Sequence, residues 1–429
     1  MAHLLPTLGK TWPALLVALV LALPLTRSSR ACTTAVISGK ATIDGRPLLW
    51  KNRDTKSGLH NEVAVLEGGR FKAIAVVNAG QRKAIWMGVN EAGFCIENSV
   101  SNDLALEEKG KGPGNGRFMK LALEKCATVA DFEKLLEVTN ETGRSTTANF
   151  GVIDAQGGAV LFETGPKSYV KFDANDPAVA PHGYVVRSNF STTARGFDAN
   201  PAPEQLKGLY SGERYLRACT LLDARGDKPL TLNYVIRHCT RDLCDSRLAP
   251  LPGSVNGPTG TLPEVIATAH TISRTTTVSA AVFHGVRPGE DPALTTMWTL
   301  LGDPKFSIAV PCWVAAGVAD PLSDDQGGEI GEIAIRLREA SLTPEADGVY
   351  SAALPGLWHD LFIAEDRFFT EIATAKDGWS KDGFTAQELA ARHTQAASTA
   401  IEAMERELVE LKEVESRELV KTPALVGSE

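Results

Sequence analysis

The sequence predicts an α+β fold in which helices are layered on stacked antiparallel sheets. Three observations lead there. Residues 33–101 are a series of short apolar or alternating runs broken by Gly-containing turns. Helical patterns and further strand runs then follow in the order helices, strands, helices, strands, which does not suit a doubly wound parallel sheet. Beyond about residue 320 the remaining chain is dominated by long helical patterns.

Taken in order, TTAVISG, RPLLWKNR, NEVAVLEG, RFKAIAVVN, RKAIWMGV and GFCIENSV read as strands of an antiparallel meander. Asp44-Gly45, Gly68-Gly69, Ala79-Gly80 and Ala92-Gly93 separate them. Residues 116–126 and 128–138 read as helices, the second opened by a capping pair, Thr128 and Asp131. Strands return at 148–154, 159–163, 169–172 and 184–188. Residues 209–224 and 231–240 have helical apolar spacing, and 250–262, rich in Pro and Gly, is a loop. The last strand group falls at 271–286, 294–300 and 306–313. A polar linker over 324–331 leads to helices at 332–340, 358–374 and 385–420, the last long enough to pack on the body or on a second subunit. The expected organisation is a leader over 1–31, a catalytic body over 32–320 and a helical extension over 321–429.

With 43% apolar residues the 429-residue chain can bury a sizeable core. A net charge of −8, with no basic run interleaved with aromatics, argues against nucleic-acid and anionic-membrane partners. The first thirty residues stand apart. Lys10 precedes the apolar run PALLVALVLALPL, and Ser29 and Ala31 place small residues at −3 and −1 of a cut before Cys32. This is the pattern of a secretory signal peptide, so an exported protein is expected; the run is short for a membrane anchor. A lipoprotein reading ranks second, because Ser29 and Arg30 suit that kind of cut poorly. Export permits disulfides, and of seven cysteines an odd one remains, Cys32 being the natural candidate. Cys239 and Cys244 are either a disulfide or two buried thiols.

A cut before Cys32 would place a thiol and a free α-amine on one carbon. The thiolate is the nucleophile. An α-amine, with a pKa near ~8, can take the thiol's proton. Lys51-Asn52-Arg53-Asp54 closes the second strand. A hairpin through Asp44-Gly45 returns it beside Cys32, where Asp54 would hold the amine and Lys51 or Arg53 would favour thiolate.

Several motifs in order carry a resemblance: Cys32-Thr33-Thr34, Asn52-x-Asp54, Gly88 to Gly93 (GVNEAG), Asn149 to Asp154 (NFGVID) through Glu163, Arg187-Ser188-Asn189-Phe190, and Ser211-Gly212-Glu213-Arg214. Over residues 32–313 this order resembles the choloylglycine hydrolase and penicillin V acylase family. It resembles still more the relatives of acyl-coenzyme A:6-aminopenicillanic acid acyltransferase. The resemblance implies a four-layer αββα N-terminal-nucleophile hydrolase fold. It also implies Cys32 as nucleophile with its amine as base, and Asp54 holding that amine. Asn189 and, at an offset position, Asn98 would bind substrate or the oxyanion. Arg214 would lie near the thiolate. Lys51 stands where choloylglycine hydrolases have an arginine, and Arg53 is its possible substitute.

Other constellations are weaker. His238-Cys239 are helix neighbours that point apart, and His270 and His284 read as hydrogen-bonded core or surface residues. Cys239-x4-Cys244 lacks a second ligand pair for zinc. Residues 112–116 lack the Lys-Ser/Thr of a phosphate loop. The expectation is therefore a cofactor-free, metal-free hydrolase of linear amide C–N bonds acting through a thioester on a small-molecule substrate. No membrane anchor would persist after leader removal, and self-association is possible. The alternatives are an acyltransferase, a dipeptidase with the same nucleophile, and an inert secreted binding protein.

Overall fold

Two antiparallel sheets form the centre of the computed structural model, which describes residues 31–101, 103–104, 111–244 and 262–421. The strands are β1 (Ala31–Ile37), β2 (Leu48–Asp54), β3 (Asn61–Leu66), β4 (Ala73–Asn78), β5 (Met87–Asn90), β6 (Cys95–Val100), β7 (Ala148–Ile153), β8 (Ala159–Thr164), β9 (Tyr169–Asp173), β10 (Tyr184–Arg187), β11 (Val265–Ala267), β12 (Thr277–His284), β13 (Thr296–Leu301), β14 (Val310–Cys312) and β15 (Gly348–Tyr350). The helices are α1 (Asn115–Lys125), α2 (Val129–Thr142), α3 (Gly212–Asp223), α4 (Leu232–Tyr234, continued by a π turn at Val235–Cys239), α5 (Glu329–Glu339), α6 (Leu354–Asp382) and α7 (Ala386–Lys421). Except for Ala31, the predicted leader lies outside the described residues, as does all but the last residue of the loop expected over 250–262.

The expected single meander is instead divided between two sheets. One runs β10-β1-β2-β12-β13-β14 and the other β3-β4-β5-β6-β7-β8-β9. Every residue of β2 is buried, because β1 and β12 flank it and both its faces are covered. Alternation identifies a strand but not its sheet, so the crossing at residues 55–60 is invisible in the pattern. Val36 and Leu49 of the six-stranded sheet pack against Val76, Val89 and Leu161 of the seven-stranded one. The far side of the seven-stranded sheet is covered by α1 and α2. There Phe118 and Phe132 meet Phe94, Phe150 and Phe162, with Phe132 and Phe162 ring centres 5.3 Å apart. Thr128 and Asp131 form the expected capping box.

The C-terminal helices share the six-stranded sheet's core. Trp298 of β13 lies 4.8 Å from Phe369 of α6. Leu337, Leu361 and Leu389 are buried in that same cluster. The pairing of β11 with β15 ties the chain on the two sides of residue 320. These two strands were not expected, being three residues each and too short to show a period. The linker expected over 324–331 is also shorter than drawn, since α5 begins at Glu329. No helix among the described residues is long and apolar enough to cross a membrane.

One glycine shows how closely the sheets meet. A Cβ on Gly151 of β7 would lie 2.2 Å from Glu97 Oε1 and 2.8 Å from Leu49 Cδ1. Gly151→Ala should therefore lower stability by about 1–3 kcal/mol through overpacking. Gly356→Ala in α6, where nothing lies within 4 Å, should leave stability unchanged or raised. Urea denaturation midpoints of the two variants test the contrast.

Candidate active site

The β1–β2 hairpin sets the site. Cys32 lies opposite Arg53, Thr34 opposite Lys51, and Ala31 opposite Asp54. Because side chains alternate, Cys32, Lys51 and Arg53 share the face turned toward the second sheet, while Thr33 and Asp54 belong to the other face. The expected return of residues 51–54 beside Cys32 is thus present. Cys32 is a free thiol, 6% exposed, and it lines a cleft of 660 Å³ between the ends of the sheets.

The cleft is also lined by Lys51, Arg53, Asp54, Trp86, Asn98 and the start of α1. Lys51 Nζ donates to Asn98 Oδ1 at 2.8 Å and to the Trp86 carbonyl at 2.6 Å. Holding Oδ1 fixes the Asn98 amide and leaves its NH2 end as a donor beside the cleft. Arg53 donates to Asn61 Oδ1 at 2.6 Å and Asn78 Oδ1 at 2.8 Å, and lies 4.2 Å above the Trp86 ring. It forms cleft wall, and its guanidinium is directed to these partners.

On the other face, Arg214 Nη1 donates to the Cys32 carbonyl at 2.6 Å and to Thr33 Oγ1 at 3.0 Å. Its Nη2 donates to Asn189 Oδ1 at 2.7 Å. Asn189 Oδ1 also accepts the Cys32 backbone N–H at 2.9 Å, and Asn189 Nδ2 donates to the Val100 carbonyl at 2.9 Å. Asn189 therefore holds the Cys32 backbone. Ser211 fixes Asn189 in turn. Its hydroxyl accepts the Asn189 N–H at 2.9 Å, and its own backbone is left-handed, with φ 68°. That conformation is strained for a non-glycine residue. Sequence reasoning quoted Ser211 only as part of a motif and gave it no role.

Burial pushes the Cys32 thiol above its ordinary value; Lys51 opposes this, Asp54 adds to it, and the Asp54 N–H and Arg53 oppose it more weakly. Lys51 and Arg53 act in the expected direction but do not overcome burial, so the resting sulfur is a thiol. Lys51 itself is pulled down by burial, against the attraction of Cys32 and Glu97. Asp54 is pushed up by burial and drawn back by Arg214, Arg274, the Thr277 hydroxyl and Lys305. Thr277 Oγ1 donates to Asp54 Oδ1 at 2.7 Å, while the buried Oδ2 has no hydrogen-bond partner among the described residues.

Glu97 was not anticipated. It is fully buried between the sheets, accepts a hydrogen bond from Thr34 Oγ1, and is pushed up to about 8 by burial, against Lys51, Thr34 and the Gly151 N–H. A carboxyl inside the apolar run CIENSV was the available signal. The remaining candidates lie elsewhere. His238 stacks on Tyr234, His270 pairs with Glu213, and His284 sits 2.7 Å from Asp44. Cys239 is a free buried thiol, so the disulfide alternative for Cys239 and Cys244 does not hold.

The raised Glu97 value makes a pH prediction. The folded chain holds this proton up to about pH 8, whereas an unfolded Glu releases it near 4.5. Stability therefore falls as pH rises across that window, by about 1.4 kcal/mol per unit at most. Glu97→Gln should abolish this slope, so that its stability relative to the parent improves from pH 5 to pH 8. Denaturant titrations at both pH values measure the difference.

No protein-family model and no curated protein matches the chain. Among solved structures it is similar to an N-acylethanolamine-hydrolyzing acid amidase ortholog from Caenorhabditis elegans, at 12% identity and a TM-score of 0.38, covering 59% of this chain and 92% of that one. It is similar to penicillin V acylase from Agrobacterium tumefaciens at 13% identity and a TM-score of 0.35, covering 63% and 82%. A variant of conjugated bile acid hydrolase from Clostridium perfringens follows at 14% identity and a TM-score of 0.37, covering 63% and 89%. At such identities they carry no residue's role into this chain.

Proposed function

We propose that this protein is an exported hydrolase of linear amide C–N bonds, with Cys32 as an N-terminal nucleophile on a four-layer αββα sandwich. The observation that carries the reading is Asp54. Its buried Oδ2 lacks a donor among the described residues, and Asp54 sits at the strand position opposite Ala31, the residue before Cys32. A buried carboxylate oxygen left unpaired is costly. An α-ammonium on Cys32 would be the missing donor, held between Asp54 and the Asn189 Oδ1 that already accepts from the Cys32 nitrogen. The order of sequence motifs supports the same assignment.

In this mechanism the neutral α-amine takes the thiol proton and sulfur attacks the amide carbonyl. The Asn98 NH2 group donates to the developing oxyanion. Such a donor contributes about 3–4 kcal/mol to the transition state. The tetrahedral intermediate collapses with C–N cleavage, and the ammonium passes its proton to the departing nitrogen. A thioester remains. The amine then deprotonates water, which attacks the thioester, releases the acid and restores the thiol. Lys51 fixes the Asn98 amide; Arg214 and Asn189 hold the Cys32 backbone.

Mass spectrometry of the protein recovered after export should find Cys32 as first residue. Hydrolysis of a panel of N-acyl amino compounds should disappear in Cys32→Ala. In Asp54→Asn it should fall by about a hundredfold or more. A chain that keeps residues before Cys32, or a Cys32→Ala protein with undiminished hydrolysis, would refute the reading.

A further inference from the structure

Asp54 has a second cation beside it that no sequence motif identified. Arg274 lies in the turn that leads into β12, where the Thr277 N–H donates to the Arg274 carbonyl at 3.1 Å. The Arg274 N–H donates to Thr277 Oγ1 at 2.8 Å, and that hydroxyl donates onward to Asp54 Oδ1 at 2.7 Å. Because Thr277 Oγ1 accepts from Arg274, its single proton is directed at Asp54. Arg274 Nη1 stands 3.8 Å from Asp54 Oδ2, close enough to stabilise charge but too far to hydrogen-bond. The turn is held from below by Lys305, whose Nζ donates to the Arg274 carbonyl at 3.1 Å.

We infer that Arg274 is a positioning residue. It fixes Asp54 through Thr277 and places a positive charge beside the carboxyl, while leaving Oδ2 open for the Cys32 amine. This deepens the proposed mechanism and rests on it for the role of Oδ2. An arginine in direct contact with Oδ2 would block that oxygen; at 3.8 Å it does not. The arginine is anchored on the side away from the Cys32 cleft. There Arg274 and Arg214 line a separate cavity of 350 Å³ with Tyr210, Ser211, Glu213 and His270. Its Nε is buried without a hydrogen-bond partner among the described residues, so the guanidinium is not diverted to another acceptor through that atom.

The groups acting on Asp54 come from four surroundings: Arg214 of α3, Arg274 and Thr277 of the turn, Lys305 from the segment before β14, and Cys32 with Lys51 from the hairpin. Arg214 is committed to the Cys32 carbonyl, Thr33 and Asn189, and Lys305 to Asp303 at 2.8 Å. Among the described residues Asp54 is the carboxylate paired with Arg274, which adds its field to the stronger one of Arg214.

The test reads Asp54 itself. Carboxyl carbon NMR of the full chain labelled at aspartate, with the Asp54 signal assigned by its loss in Asp54→Asn, gives the carboxyl's titration midpoint. Arg274→Gln should raise that midpoint by about one pH unit or more, and Arg274→Lys should return it toward the parent value. Thr277→Val should raise it as well, and serves if Arg274→Gln fails to fold. An unchanged midpoint in the folded variant, or an Asp54 that is protonated across the whole range in the parent, overturns the inference. Because the N-terminus of each sample is read by mass spectrometry, failure of the Cys32 mechanism is recognised separately from failure of this assignment.

Discussion

The register between β1 and β2 is the constraint on which the site depends. Pairing Cys32 with Arg53 puts the sulfur on the inter-sheet face with Lys51, and brings Asp54 against the chain from the other side. A slip of one residue would send every side chain to the opposite face. Several features oppose it. Val36 and Leu49 must both enter the inter-sheet core, and Trp50 must point the other way, where its Nε1 donates to Asn52 Oδ1 at 2.9 Å. The connection between the strands is closed by Thr42 Oγ1 donating to the Arg46 carbonyl at 2.8 Å and by Gly45 at φ 73°. Packing and turn geometry thus choose the register that gathers Cys32, Lys51 and Arg53 on one face.

Burying ionisable groups around that hairpin has a consequence. Cys32, Lys51, Asp54 and Glu97 are all displaced toward their neutral forms by loss of water, and each is partly restored by its neighbours. Buried pairs of this kind contribute little net stability, since desolvation offsets attraction. They do fix geometry, because a side chain that leaves its partner strands a charge. Lys51, with the Trp86 carbonyl and Asn98 Oδ1 as acceptors, has a defined position that a solvated lysine would lack. The same holds for Arg214, whose three contacts join β1 to the Asn189 segment.

Most strands and helices were legible because their apolar periods are long enough to read; the assignment of β1 and β2 to a different sheet from β3–β6 was not. Sheet membership is decided by contacts between segments far apart, such as β2 with β12, and periodicity carries no record of those. At the site, the hairpin brought Lys51, Arg53 and Asp54 to Cys32 as turn chemistry implied. Asn98, Asn189 and Arg214 also converge there, although only motif order had suggested them. Glu97, Arg274 and Thr277 escaped notice, and Ser211 entered only within a motif. Each takes its meaning from a partner on another element, Thr34, Asn189 or Asp54, at a distance only folding sets.

The charge balance bears on how an N-terminal amine here would behave. Lys51, Arg53, Arg214 and Arg274 surround the position, while Glu97, pushed up to about 8, is mostly protonated at neutral pH. Asp54 is then the principal nearby anion. A cation-rich, poorly hydrated setting would disfavour an ammonium there. Asp54 acts against this tendency, and the balance between the two decides the proton's resting place. If Asp54 were too weakly ionised, the amine could not hold the ammonium formed during attack. With a carboxylate bound more tightly to the amine and no opposing cations, the amine would stay protonated and could not act as base. In the proposed mechanism the arginines on the far side of Asp54 would set that compromise without touching the sulfur.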